Sequence, residues 1–168
     1  MNRAAGRHRR VSVVTGGGRG IGAAIAGELA RGGDFVVTVD PLVTLEGRTD
    51  PDAARQPTTA DRIVAAGGAA RSVASSVTDL DALRDLFGAL VEDFGAVDTV
   101  VNVAGITRPT GFASGSESDW RGVLSVHLAG YCNVLRAALP HMAEAGSGRI
   151  LGTTSGAGWR PTDAGAYS

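Results

Sequence analysis

Along the chain, short runs of β-branched residues alternate with longer stretches whose apolar positions recur every three or four residues. VSVVT (11–15) and FVVTVD (35–40) are nearly unbroken apolar runs, the pattern of strands buried on both faces. Between them, Gly20 to about Arg31 follows a helical period and stops at Gly32-Gly33. Residues 41–57 have no period and carry three prolines, which predicts a long loop. TADRIVAA (59–66) predicts a short helix stopped by Gly67-Gly68, and ARSVAS (70–75) a third strand. Leu80, Leu83, Leu86, Phe87, Leu90 and Val91 share one helical face, with Thr78 placed as the cap and Phe94 as the end. VDTVVNV (97–103) predicts a fourth strand. Ser116 or Ser118 caps a long helix reaching about Ala145, where Trp120, Val123, Val126, Val134, Leu135, Ala138 and Met142 repeat at helical spacing and Pro140 is expected to kink or shorten it. RILGTTS (149–155) predicts a fifth strand.

Alternating strands and helices with unbroken apolar strands imply an α/β fold, a parallel sheet covered on both faces. Residues 11–168 read as one domain, with residues 1–10 a basic tail carrying Arg3, Arg7, Arg9 and Arg10. The VSVV that follows is too short for the apolar core of a signal peptide, and no apolar run approaches membrane-spanning length.

The first strand leads into TGGGRGIG, and the chemistry of the chain begins there. A tight turn between strand and helix, stripped of side chains, lets a pyrophosphate approach the backbone and face the unpaired amides of the helix N-terminus. Thr15, Gly16, Gly18, Arg19, Gly20, Ile21 and Gly22 are the residues assigned to it. The bland alternative is a purely structural strand–helix turn. Asp40 lies 20 residues beyond Gly20 at the end of the second strand, where a carboxylate accepts hydrogen bonds from both ribose hydroxyls of NAD and repels a 2′-phosphate. It favours NAD over NADP; Arg19 argues weakly the other way, and a solvated strand end remains the alternative for Asp40.

Composition adds three constraints. The net charge of −1 provides no field for nucleic acid or an anionic membrane, so neither is expected as a partner. A single cysteine, Cys132, excludes an intrachain disulfide, and no metal site is expected; a reducing, cytoplasmic setting fits. All 16 basic residues are arginine, so no step that needs a lysine can run on these residues alone.

Taken together, the chain resembles the short-chain dehydrogenase/reductase family over residues 11–168. The spacing Thr15-Gly16-x-x-x-Gly20-x-Gly22 resembles that family's cofactor turn. VNVAG (101–105) is similar to its Asn-Asn-Ala-Gly segment, with Val103 replacing the second asparagine. GRILGTTSGAG followed by Tyr167 resembles its serine strand and the start of its Tyr-x-x-x-Lys motif. The resemblance implies a Rossmann-type doubly wound parallel sheet, its last strands missing, and an NAD(P)-dependent oxidoreductase moving hydride between nicotinamide and a secondary alcohol or ketone. It implies Tyr167 as acid/base, Ser155 as the group orienting the substrate oxygen, and Asn102, Ala104 and Gly105 against the cofactor. Ser76, with Val77 beside it, stands where the family often has an aspartate touching adenine.

His127, in SVHLAG, occupies the place of the family's relay asparagine; read from the residues alone it is a packed helix residue. Some hydroxyacyl-CoA dehydrogenase relatives carry a similar HL-x-G, so a place near that branch is one expectation. The lysine that would hold the nicotinamide ribose and lower the tyrosine pKa falls at position 171, beyond Ser168, so the chain reads as truncated. The alternative is an inactive nucleotide-binding or interaction module. A small-molecule alcohol or ketone substrate and a homo-oligomer are expected. Phe112 and Trp159, in the segments expected to line the pocket, point weakly to an apolar substrate.

Overall fold

The computed structural model describes residues 9–52, 55–111, 113–156 and 166–167, the last two by backbone alone. Residues 1–8 of the basic tail, Phe112 and Trp159 lie outside the described residues.

Five strands form one parallel sheet: β1 (Val11–Thr15), β2 (Phe35–Val39), β3 (Ala69–Val73), β4 (Thr99–Asn102) and β6 (Arg149–Gly152), in the order β3-β2-β1-β4-β6. A second, two-residue ladder pairs β5 (Arg108–Pro109) antiparallel with β7 (Ala166–Tyr167). Helices α1 (Gly20–Arg31), α2 (Thr59–Ala65), α3 (Leu80–Phe94), α4 (Glu117–Leu124) and α5 (Tyr131–Ala145) supply the covering layers.

Alternation along the strands sorts the core into two halves. Val14, Val36 and Val101 face Ala26 of α1 and Ile63 of α2. Val11, Val13, Val37, Val39 and Val100 face Leu83, Phe87 and Leu90 of α3 and Val134, Ala137, Ala138 and Met142 of α5. The order explains the split. The chain runs outward from β1 to β3, then returns to lay β4 on the other side of β1. Crossovers of one hand that reverse direction put their helices on opposite faces.

Several boundaries differ from the sequence reading. Strand β3 is 69–73 rather than 70–75, β4 begins at Thr99 rather than Val97, and β6 stops at Gly152 rather than Ser155. The last ladder bond of the fifth sheet strand comes from the Thr153 amide, which donates to the Asn102 carbonyl at 3.1 Å, and the Thr153 hydroxyl donates to the same oxygen at 3.0 Å. The cap of α3 is Asp79, which accepts from the Ala82 amide, not Thr78. The long helix is not uniform: a π-helical segment, Ser125–Gly130, separates α4 from α5. Pro140 lies inside α5 without ending it. Counted as one helical stretch, Glu117–Ala145 spans 29 residues with a window of mean hydropathy 1.2, long and apolar enough to cross a membrane. The sequence reading had no run of that length. Core helices meet the same two criteria, and Val134, Ala137, Ala138 and Met142 of this stretch are buried in the core shared with α3.

Candidate functional site

Because the five strands are parallel, Thr15, Val39, Val73, Asn102 and Gly152 all finish at one edge of the sheet. Between β1 and β4 the connections leave in opposite directions, which is where an open α/β sheet forms its crevice. The glycine turn, Asp40, residues 103–107 and residues 153–156 all depart from this edge.

The glycine turn is built to admit backbone only. Gly16 has φ +65° and Gly20 φ +53°. A Cβ on Gly16 would lie 2.9 Å from the Ala104 backbone, and one on Gly22 would collide with the Gly16 carbonyl oxygen. Thus the turn is pressed at once against α1 and against the segment after β4. Helices α2, α3 and α4 each begin under a side-chain cap, from Thr58, Asp79 and Ser116. Helix α1 has none: its N-cap, Arg19, is extended and makes no side-chain cap bond. The amides of Gly20, Ile21 and Gly22 are those a helix leaves without internal partners, and Ile21 is 70% exposed. An uncapped helix start, cleared of side chains and opening at a switch point, fits a pyrophosphate.

Asp40 follows β2 directly and is 9% exposed. Its Oδ2 accepts from the Gly18 amide at 2.9 Å and its Oδ1 from the Leu42 amide at 2.8 Å. A Cβ on Gly18 would sit 2.8 Å from this carboxylate, so glycine is what lets turn and acid touch. Leu42, at φ +59°, is the one non-glycine residue with positive φ among the described residues. Each carboxylate oxygen keeps a second lone pair, so Asp40 retains capacity for ligand hydroxyls. On the other side, the Thr59 hydroxyl donates to the Gly18 carbonyl at 3.0 Å.

Thr15 and Asn102 are register partners at the ends of β1 and β4, both buried. The Thr15 hydroxyl meets the Asn102 side-chain oxygen and accepts from the amides of Val103 and Ala104, both at 3.3 Å. With Thr153 on the Asn102 carbonyl, one chain of polar contacts crosses β1, β4 and the end of β6.

His127 lies in the π-helical segment. Its Nε2 is 2.8 Å from the Ile106 carbonyl oxygen and 3.1 Å from the Ile106 amide nitrogen. One tautomer donates to the carbonyl; the other accepts from the amide. The ring also fills the space beside Gly105, where a Cβ would meet Cε1 at 2.7 Å. The side chain is therefore engaged with the backbone of residues 105–106.

The remaining residues divide. Ser155 is exposed on the strand-end extension beyond β6. The backbone of Tyr167 pairs with Arg108, just after the 103–107 segment; its side chain lies outside the described residues. The Ser76 hydroxyl bonds the Thr78 hydroxyl at 2.8 Å and accepts from the Thr78 amide at 3.2 Å. Val77 is a core residue, 4% exposed, whose side chain fills the space beside Gly130.

Sequence reasoning missed Thr153 and Arg108. Thr153 lies inside the run that predicts the fifth strand. Arg108, beside a proline in a loop, gives no local signal; only the folding of residues 44–47 against it does.

A parallel sheet with a switch-point crevice, a side-chain-free uncapped helix start and an acid after the second strand define a dinucleotide-binding α/β protein. The chain belongs to the short chain dehydrogenase family, whose model matches residues 10–168. It is 40% identical over 153 residues to a putative short-chain type dehydrogenase/reductase of Mycobacterium tuberculosis, covering 89% of this chain and 52% of that protein. A metagenomic short-chain oxidoreductase in complex with NADP superposes with TM-score 0.78 at 33% identity, covering 93% of this chain and 66% of the other. A short chain dehydrogenase from Mycobacterium paratuberculosis bound to NAD superposes with TM-score 0.81 at 27% identity, covering 95% and 60%. The chain spans about half the length of the curated relatives it matches.

Proposed function

We propose that these residues form the cofactor-binding part of an oxidoreductase that moves hydride between a nicotinamide and a secondary alcohol or ketone, with NAD preferred over NADP. The observation that carries the proposal is the Gly18 amide bonded to Asp40 Oδ2, which fixes a carboxylate beside an uncapped glycine turn. There it accepts from ribose hydroxyls and repels a 2′-phosphate. When bound, the nicotinamide supplies or accepts the hydride. The amides of Gly20, Ile21 and Gly22 take the phosphate charge, with Arg19 beside them. Thr15, Gly16, Asn102, Ala104 and Gly105 form a close backbone wall, and Ser76, resting on Val77, offers a hydroxyl toward adenine. Ser155 donates to the substrate oxygen, and Tyr167 moves the proton to or from it. His127 serves this chemistry by holding the 105–106 backbone. A cytoplasmic homo-oligomer is proposed with it.

A free tyrosine titrates near pH ~10, and each pKa unit corresponds to about 1.4 kcal/mol. No lysine is present to lower it. For these 168 residues alone we therefore propose cofactor binding with slow turnover. A second reading of these 168 residues taken alone is nucleotide binding without turnover. Assay of the purified chain with NAD and simple secondary alcohols separates the two: a rate abolished by Tyr167→Phe supports the enzyme, and saturable binding without any rate supports binding alone.

A further inference from the structure

Arg108 sits where three segments of the site meet, and nothing in the family motifs assigns it. It is 18% exposed, and its Nε pairs with Asp119 Oδ1 of α4 at 3.1 Å. Its Nη1 donates to the Glu46 carbonyl and, at 3.0 Å, to the Thr107 carbonyl. Its backbone faces Tyr167 in the β5–β7 ladder. The planar fork of an arginine suits such simultaneous contacts; a lysine has one donating centre.

The packing around it is close. A Cβ on Gly122 would come within 3.1 Å of Nη2 of Arg108, and one on Gly47 within 3.2 Å of Ile106. Gly47 also has φ +69°, so the tip of the loop turns only because glycine stands there. The loop is drawn onto the segment by a further bond, from the Thr107 amide to the Leu45 carbonyl at 3.0 Å. Within the loop, Val43 bridges Thr49, the Thr44 amide donates to the Arg48 carbonyl, and the Thr44 carbonyl accepts from the Gly47 amide. Residues 43–49 thus form a small closed turn, seated on residues 106–108. It begins three residues after Asp40, whose Oδ1 holds the Leu42 amide.

From this geometry we infer that Arg108 is a positioning residue, clasping the loop after Asp40 to the segment after Gly105 so that the ribose-facing acid and the strand carrying Tyr167 are held in one arrangement. The inference rests on the dinucleotide reading above. A loop bound at one end to the acid and at the other to the clasp transmits the loss of the clasp to the acid. Cofactor affinity then falls without loss of the sheet, because none of the clasp's contacts enters the core.

The test uses the full chain with Arg108→Gln, Arg108→Lys and Asp119→Asn, and NADH as the probe. Hydrogen exchange of the 43–49 amides and equilibrium NADH binding are measured beside thermal unfolding. The clasp predicts faster exchange at 43–49 in Arg108→Gln and an NADH Kd raised about tenfold, about 1.4 kcal/mol. It predicts partial rescue in Arg108→Lys and a smaller loss in Asp119→Asn, which keeps the bonds that Arg108 donates to the Glu46 and Thr107 carbonyls. If Arg108→Gln does not fold, Asp119→Asn carries the test in the same direction. Unchanged exchange at 43–49, or faster exchange with an unchanged Kd, overturns the inference while leaving the cofactor reading intact. Wild-type chain that binds neither NADH nor NADPH overturns the cofactor reading, and this inference with it.

Discussion

Gly22 and Asp40 serve the same turn by opposite means, one by having no side chain and the other by what its side chain accepts. A methyl on Gly22 would strike the Gly16 carbonyl, so Gly22→Ala forces the turn open. The expected outcome is a loss of about 1–3 kcal/mol in unfolding free energy and loss of dinucleotide binding, read by denaturant unfolding and by titration. Asp40→Asn keeps the shape but removes the charge. It is expected to weaken NADH binding by about tenfold and to erase the preference over NADPH, checked by parallel titrations. Both residues were legible in the sequence, because strand, glycines, helix and acid follow one another at fixed separations. Arg108 was not, because its partners Glu46 and Asp119 lie in separate loops and helices that only the fold brings together. The placement of His127 was legible only in part. SVHLAG sits in a helical pattern, but nothing local tells that its ring reaches the backbone of Ile106, 21 residues earlier.

The helix starts show what local sequence decides and what it leaves to the fold. Ser116 was correctly one of two candidate caps for the long helix; the structure completes it as a capping box with Asp119. Ser116→Ala is expected to cost about 1 kcal/mol, lowering Tm by about 2–4 °C in a domain of this size, measured by calorimetry. Hydrogen bonds from the Ser116 hydroxyl and backbone, and then the Arg108 charge, hold the Asp119 carboxyl below its ordinary value. The sign follows directly. A folded-state pKa below the unfolded one, about 3.9, contributes stability above that value, and the contribution is lost as pH falls through the lower, folded one. The stability gap between wild type and Asp119→Asn should therefore close on acidification below about pH 4, followed by urea unfolding across pH. At α3 the sequence reading places the cap at Thr78, and the structure puts it one residue later, at Asp79. The Thr78 hydroxyl is engaged instead by that of Ser76, which also accepts from the Thr78 amide. Pro140 is exposed and lies inside α5, which runs on to Ala145.

At the scale of the molecule, strand–helix alternation made the parallel sheet legible, while the order β3-β2-β1-β4-β6 came from the handedness of the crossovers rather than from any residue. Among the described residues, strand β6 pairs with β4 alone, and Leu151 on it is 50% exposed. An open apolar edge invites pairing with another chain. Leu151→Glu is expected to shift the 168-residue chain toward monomer, and an unchanged sedimentation profile would contradict that. The same sheet places the uncapped start of α1, Asp40 and the Thr15–Asn102 contact at one crevice. The most direct test of what that crevice holds is an equilibrium titration of the purified chain with NADH and with NADPH, followed by nucleotide fluorescence. Saturable binding of NADH, tighter than of NADPH and lost in Gly22→Ala, is the expected outcome. Absence of saturable binding for both nucleotides up to millimolar concentration, with the chain folded, would contradict it.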